Sequence, residues 1–243
     1  MTLNRSVTLA ISCLLTAVTV ATSHAQISDQ QIETLITQKL LDETSLREVQ
    51  VTVEEQIATL SGTVPSLWAK DTAIEAAFEV EGVQLVVSDL TVARAENDDI
   101  VWEQVAKSIR RYSLYTMFDH VDMGVDDGVV TIVGKVTDAI KVSDIGRLVS
   151  RVSGVRELNN HLETLPPSPV DSRVRTELAN RIYNHPVLSR YANRPDPPIH
   201  IIVENGRVTL AGAVNSEFEK RIAGIVVRGT FGVLSIDNKL QIG

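Results

Sequence analysis

The residues downstream of position 25 that could support acid–base or metal chemistry include four histidines and three short acidic clusters. The histidines are His120, His161, His185 and His200. None lies three or four residues from another, the spacing that places two imidazole ligands on one helix face. The acidic clusters are Asp42-Glu43, Glu54-Glu55 and Asp126-Asp127, expected at helix ends and hairpin tips. A weak cation site at these turns is the alternative, but we predict no metal, no cofactor and no enzyme.

A different set of residues could contact an anionic surface. Phe218, Arg221 and Arg228 are spaced by three and seven residues, which places them on one helical ridge, with Lys220 beside them. Arginine next to an exposed aromatic ring suits the headgroups of anionic phospholipids. The alternative is that Phe218 packs against a neighbouring part of the chain.

Two other segments combine cations with tyrosine. Arg190, Tyr191 and Arg194 precede the run Pro195-Asp196-Pro197-Pro198, and this segment either binds a partner or only bridges a gap. The other segment contains Lys107, Arg110 and Arg111 with Tyr112 and Tyr115. Its cations are also expected from the dipole of a helix that ends there, so the second segment is the weaker candidate.

The elements that must position these side chains form an internal repeat. The segments TLSGTV, TIVGKV and TLAGAV occur at Thr59–Val64, Thr131–Val136 and Thr209–Val214. In each copy a Gly-Val pair follows the motif glycine by 20 residues, and a leucine comes 8 residues after that second glycine. The repeated glycines are Gly62, Gly82, Gly134, Gly154, Gly212 and Gly232. Such spacing indicates three small domains.

Each copy predicts an amphipathic helix, two β-branched strands, a second helix and a last strand. The fold class is therefore α+β, with three tandem αββαβ modules of two helices on a three-stranded sheet. We place modules 1, 2 and 3 at residues 28–93, 98–165 and 168–243. Asp127-Gly128 and Asn205-Gly206 favour tight hairpin turns, whereas Glu55-Gln56 predicts a looser tip. Trp68 aligns with Phe218 and joins the candidate surface residues.

The pattern resembles the BON domain of exported bacterial proteins. The resemblance rests on the T-L-x-G-x-V motif, the Gly-Val pair and closing strands such as Asn160-His161-Leu162 and Asn238-Lys239-Leu240. The first copy differs at the asparagine position, where it has Ser88, and at the hairpin glycine. The resemblance implies a non-enzymatic periplasmic role in envelope maintenance or osmotic and other envelope stress, with phospholipid binding. It implies no catalytic residues.

The N-terminal residues predict that the protein is exported, and the charge distribution argues against a nucleic-acid partner. Residues 1–25 have the arrangement of a cleaved secretory signal peptide, with an uncleaved anchor as the alternative. Cys13 is the only cysteine, so the exported part has no disulfide.

Residues 28–97 carry 13 acidic and 4 basic side chains, whereas residues 166–243 carry 7 acidic and 10 basic side chains. The acidic part argues against nucleic acid as a partner. An envelope protein, or self-association of the first and third modules, is the alternative to a phospholipid surface.

Overall fold

The predicted repeat is present as three α+β modules in the computed structural model, which describes residues 27–95, 97–193 and 197–243. The predicted signal peptide and Arg194 lie outside the described residues. Module 1 contains α1 (Asp29–Leu41), β1 (Gln50–Glu54), β2 (Ile57–Val64), α2 (Leu67–Phe78) and β3 (Leu85–Val92). Module 2 contains α3 (Asp98–Arg110), β4 (His120–Asp126), β5 (Val129–Val136), α4 (Ala139–Ser150) and β6 (Glu157–Thr164). Module 3 contains α5 (Pro169–Tyr183), β7 (Ile199–Glu204), β8 (Arg207–Val214), α6 (Glu217–Arg228), β9 (Ser235–Asn238) and β10 (Gln241–Ile242).

The sheets share one topology, in which the second strand of each module lies in the middle. It pairs antiparallel with the first strand through the hairpin and parallel with the last strand across the second helix. Gly62 pairs with Leu90 and Gly134 with Leu162, which explains the constant spacing of motif glycine and leucine. In module 3 the last strand is interrupted, so β9 and β10 pair separately with β8 and the sheet has four strands.

Each sheet and its helices enclose a separate apolar core. In module 1, for example, Ile32 and Ile36 of α1 pack with Leu60 of β2 and Ala73 of α2. The corresponding cores of modules 2 and 3 use the same helix and strand positions. Among the described helices, none combines the length and apolar character needed to cross a membrane.

The motif glycine of the middle strand is required by backbone geometry. Gly134 has φ 146° and Gly212 has φ 98°, values that disfavour a residue with a side chain. A Cβ atom would lie 2.0 Å from the carbonyl oxygen of His120 or of Pro198, respectively. The glycine therefore lets the first strand approach the middle strand.

The hairpin turn of module 1 corrects the prediction of a looser tip. Glu55 and Gln56 have φ values of 50° and 64°, the same left-handed conformation as in the other two hairpins. Their backbone N–H groups donate to the Asp29 carboxylate at 2.9 and 3.0 Å. Asp98 and Asp171 accept the equivalent pairs of N–H groups in modules 2 and 3. Glu55 and Gln56 have side chains, which disfavour the left-handed conformation, and the hydrogen bonds to Asp29 stabilise the turn despite this.

Modules 1 and 2 meet through two loops, a contact we call the first joint. The N–H of Gly154 donates to the carbonyl of Pro65 at 3.1 Å, and the N–H of Leu67 donates to the carbonyl of Val155 at 3.0 Å. Beside these bonds, the guanidinium carbon of Arg151 lies 4.8 Å from the centre of the Trp68 ring. The Gly-Val turn of module 2 therefore docks on the loop that precedes α2.

Modules 2 and 3 meet in a different way, at the second joint. The N–H of Ile201, in edge strand β7, donates to the carbonyl of Met117 at 2.7 Å. Met117 and Phe118 pack against the core of module 3. At the rim, the Lys135 ammonium lies 3.2 Å from the Glu204 carboxylate. The second joint therefore covers a strand edge rather than a loop.

Candidate functional site

The cationic and aromatic residues predicted in module 3 lie on the outer face of α6. The helix starts at Ser216, whose hydroxyl accepts from the N–H of Glu219 at 3.2 Å, and it buries Ala223 and Val227 against the sheet. On the opposite side, Phe218, Arg221, Ile225 and Arg228 are exposed, and we call these four residues the α6 ridge. Phe218 is 57% exposed, while Lys220 is half-buried beside the ridge. Cationic and apolar side chains thus alternate along one exposed line.

Two residues that the sequence analysis missed extend this surface beyond the helix. Phe231 is 100% exposed and Leu234 is 80% exposed, on the turn that follows α6. The aligned positions for Phe231 hold Glu81 in module 1 and Ser153 in module 2. The sequence signal for this part of the surface was an aromatic residue at a position where the other two copies have polar residues. The α6 ridge, Phe231 and Leu234 together form what we call the module 3 surface.

Trp68 packs on the neighbouring module. This is the alternative that the sequence analysis gave to an exposed aromatic residue at this position. Its ring is half-buried between the core of module 1 and Arg151 at the first joint. Ile140, the aligned residue of module 2, is 54% exposed. One aligned position is therefore occupied by a module contact in module 1 and open to solvent in modules 2 and 3.

The loop before β7 contributes little to an exposed site. Tyr191 is only 3% exposed, and its hydroxyl donates to the Glu219 carboxylate at 2.8 Å. Burial raises the pKa of Tyr191, and the bond to Glu219 raises it further, against the opposing effect of the Asn215 N–H. Arg190 lies 3.4 Å from Glu219. Tyr191 is therefore a buried structural residue, which corrects its place among the surface candidates, and Arg190 is engaged within the module.

A buried position on the second helix carries different chemistry in each module. Ala69 occupies it in module 1, Lys141 in module 2 and Glu219 in module 3, all buried. We call this the variable buried position. It pairs with Asp119 in module 2 and with Tyr191 in module 3, and in module 1 it lies in the apolar core that also contains Leu46, so apolar packing, an ion pair and a hydrogen bond replace one another.

The ion pair of module 2 belongs to a saturated network. The Asp119 carboxylate accepts from the Lys141 ammonium at 2.7 Å and from the N–H groups of Thr116 and Thr137 at 2.8 and 2.7 Å. Burial opposes ionisation of Asp119, but these hydrogen bonds outweigh it and hold its pKa below the ordinary value. Because the donors already fill the carboxylate, we interpret the network as structural rather than as an acid–base site.

The second cationic candidate, at the end of α3, is partly used inside module 2. The Tyr112 hydroxyl donates to Asp144 at 2.5 Å, and burial together with this bond raises the pKa of Tyr112 to about 12. Tyr115 packs on His200, with ring centres 5.5 Å apart. Lys107 and Arg111 remain exposed. This end of α3 thus lacks the exposed aromatic residues that accompany the arginines of α6.

The histidines are dispersed through the described part of the chain. His120 and His200 approach one another at the second joint, with ring centres 5.6 Å apart. Among the described residues, no group of three or more histidine, cysteine or acidic side chains is arranged to hold a metal ion.

The repeated architecture agrees with comparisons to known proteins. The family model described as "BON domain" matches residues 28–94, 97–166 and 171–243. The chain belongs to the BON domain family. The three matches in succession make it a tandem BON domain protein. No curated protein matches the chain.

Solved structures with detectable similarity are distant from this BON domain protein. Two are of CdsD, a structural protein of the type III secretion system of Chlamydia trachomatis. The C-terminal domain of CdsD is 17% identical, with 88% of this chain and 96% of that chain covered at a TM-score of 0.26. The PrgH periplasmic domain is 9% identical, with 81% and 96% covered at a TM-score of 0.21.

Proposed function

We propose that this protein is a non-enzymatic component of the bacterial envelope that binds the surface of anionic phospholipid membranes through its third BON module. The observation that carries this proposal is the module 3 surface, where Arg221 and Arg228 alternate with exposed apolar residues and lead to the fully exposed Phe231. The predicted signal peptide and the BON family support a periplasmic location and a role in envelope maintenance or stress protection.

The chemistry of the module 3 surface suits the boundary between headgroups and acyl chains. Arginine forms paired hydrogen bonds with phosphate oxygens, while its stem lies along apolar surface. An exposed phenylalanine or leucine is unfavourable in water and gains free energy when it enters the interfacial zone. The net positive charge of residues 166–243 attracts the module to an anionic surface, and the acidic first module is repelled from it. We therefore expect the protein to bind through one end.

The test is co-sedimentation with vesicles that contain phosphatidylglycerol, at low and at high salt. We expect wild type to bind at low salt, to dissociate as salt screens the attraction, and to bind vesicles of phosphatidylcholine alone at least tenfold more weakly. Arg221→Glu combined with Arg228→Glu should weaken binding by at least tenfold, because two charges change sign and the net charge of the surface falls by four units.

A matched control has the same charge change elsewhere. Lys107→Glu combined with Arg111→Glu alters the exposed end of α3 and should reduce binding much less. If wild type fails to bind anionic vesicles at low salt, or if both double variants lose binding equally, the proposed role of α6 is wrong.

A second candidate function is a scaffold for protein contacts in an envelope complex. The two joints favour it, because they show that BON modules of this chain dock on one another through loops as well as strand edges. Light scattering of the protein, compared with isolated first and third modules, separates the two candidates. A protein that stays monomeric and whose modules do not associate would count against the scaffold.

A further inference from the structure

Turns and loops equivalent to those of the first joint recur in the other modules, and among the described residues their docking groups have no backbone partner. In the first joint, the Gly154-Val155 turn supplies one N–H and one carbonyl to the loop at 65–67. The aligned turn of module 1 is Glu81-Gly82-Val83, and the aligned loop of module 3 is Asn215-Ser216-Glu217. Within the described ranges, the N–H of Gly82 and the carbonyl of Val83 have no hydrogen-bond partner. The same holds, among the described residues, for the carbonyl of Asn215 and the N–H of Glu217.

These groups are accessible rather than enclosed. Asn215 and Glu217 are exposed, and the loop is followed by the exposed ring of Phe218 in the position that Trp68 has at the first joint. At the other end, Phe78, which is 63% exposed, and exposed Leu85 lie beside the turn of module 1. Both ends therefore combine unpaired backbone groups with uncovered apolar side chains, a combination typical of an interaction surface.

We propose that a second copy of this chain docks the Glu81-Gly82-Val83 turn of its module 1 on the Asn215-Ser216-Glu217 loop of module 3. The N–H of Gly82 donates to the Asn215 carbonyl, as the N–H of Gly154 donates to Pro65 at the first joint. The N–H of Glu217 donates to the Val83 carbonyl, as the N–H of Leu67 donates to Val155. Module 1 of the second copy thus takes the place that a fourth module would occupy.

Charge favours this pairing of ends. The turn of module 1 is flanked by Glu79 and Glu81, whereas the first turns of α6 carry the cations Lys220 and Arg221 beside Glu217 and the buried Glu219, which Tyr191 and Arg190 engage. Glu79 of module 1 is aligned with Arg151 of module 2. A stack like that of Arg151 on Trp68 therefore does not form on Phe218, and attraction between the acidic turn and the cations of α6 takes its place. Glu217 opposes this attraction, and Arg221, four residues later on α6, offsets it. The contact joins two different surfaces, so it leads to chains or rings rather than to a closed symmetric dimer.

The test measures the mass of lipid-free protein by sedimentation as concentration increases, at low and high salt. We expect species larger than a monomer at low salt and fewer of them at high salt. Glu81→Arg should weaken association at least tenfold because it opposes Lys220 and Arg221, whereas Asp89→Arg, on the open face of the sheet, should leave it unchanged. Phe218→Glu should weaken association at least tenfold through repulsion of Glu79 and Glu81, whereas Ile140→Glu, at the aligned position of module 2, should not.

An equal mixture of the two blocked variants tests the directionality. The Glu81→Arg chain keeps a functional module 3, and the Phe218→Glu chain keeps a functional module 1, so the mixture should form dimers of one chain each and nothing longer. A mass that stays monomeric for wild type, or a mixture that stays monomeric, overturns the proposal. The assay contains no lipid and leaves Arg221 and Arg228 intact, so its outcome is independent of the membrane binding proposed above.

Discussion

The first and second joints connect the same module type in two different ways. At the first joint a Gly-Val turn docks on a loop through two backbone hydrogen bonds and the stack of Arg151 on Trp68. At the second joint the edge of β7 is covered by the segment that carries Met117 and Phe118. The turn of module 3 has the glycine and valine needed for the first type of joint, yet it stays exposed. A shared fold therefore does not fix the arrangement of its copies; the side chains around each loop decide it.

The variable buried position shows where the second joint obtains its stability. Asp119 and Lys141 hold the segment that carries Met117 and Phe118, through the Thr116 N–H bonded to Asp119. Module 1 has the exposed Arg47 aligned with Asp119, Ala69 aligned with Lys141, and Pro65 where module 2 has Thr137, so the Thr137 N–H has no counterpart there. The chemistry of a buried pair in module 2 thus supports a contact that module 1 does not make.

The largest effect is expected from Asp119→Ala, which leaves the Lys141 ammonium buried without its partner. Breaking such a pair costs about 3–5 kcal/mol, so we expect the free energy of unfolding to fall by that amount and the second joint to loosen. Chemical denaturation measures the loss, and hydrogen exchange at the Ile201 N–H reports the joint. Asp126→Ala, an exposed change on β4, should stay within about 0.5 kcal/mol.

A double variant sharpens this comparison of the modules. Asp119→Leu with Lys141→Ala replaces the ion pair with apolar residues, including the alanine that module 1 has at the variable buried position, and should recover part of the lost stability. Recovery should be incomplete, because the N–H of Thr137 loses its acceptor. Pro65, the aligned residue of module 1, has no N–H and so needs no acceptor. If Asp119→Ala alone is as stable as wild type, the network does not support the second joint.

An intermediate effect is expected at the first joint from Trp68→Ala. The variant loses the stack with Arg151 and the apolar contacts of a half-buried ring, a loss of about 1–3 kcal/mol. Thermal unfolding of Trp68→Ala, Arg151→Ala and the double variant gives the coupling between the two side chains. Ile140→Ala changes the aligned residue where no joint forms and should cost less than about 0.5 kcal/mol. Equal losses for Trp68→Ala and Ile140→Ala would contradict a contact specific to the first joint.

The smallest effect is expected from Lys135→Ala, which removes the ion pair with Glu204 at the rim of the second joint together with the ion pair to Glu163 within module 2. A partly exposed pair of this kind contributes about 1 kcal/mol or less, and salt should reduce the contribution further. Denaturation at low and high salt measures it. Lys39→Ala removes an ion pair within module 1 and serves as the matched change away from either joint. A loss at Lys135 that high salt leaves unchanged would show that packing, not charge, holds this rim.

The candidate site was partly predictable for a physical reason. The helical period places Phe218, Arg221 and Arg228 on one line, so the ridge follows from spacing. The exposure of Phe231 and Leu234 does not follow from the helical period, and its only sequence signal was the repeat alignment, which places Phe231 where the other copies have Glu81 and Ser153. The burial of Tyr191 depends on Glu219, a residue 28 positions away along the chain.

By itself, the sequence determined the fold class, the number of modules and the conformation-limited glycines, because these depend on local periodicity, turn chemistry and repeat spacing. The tertiary structure decided what neighbouring elements do to one another. It showed that Asp29 supports a turn that Glu55-Gln56 would not favour alone, that Trp68 lies in a joint while Phe218 lies in solvent, and that one buried position accommodates alanine, lysine or glutamate. Contacts between residues distant in sequence set these outcomes, and a local pattern does not encode them.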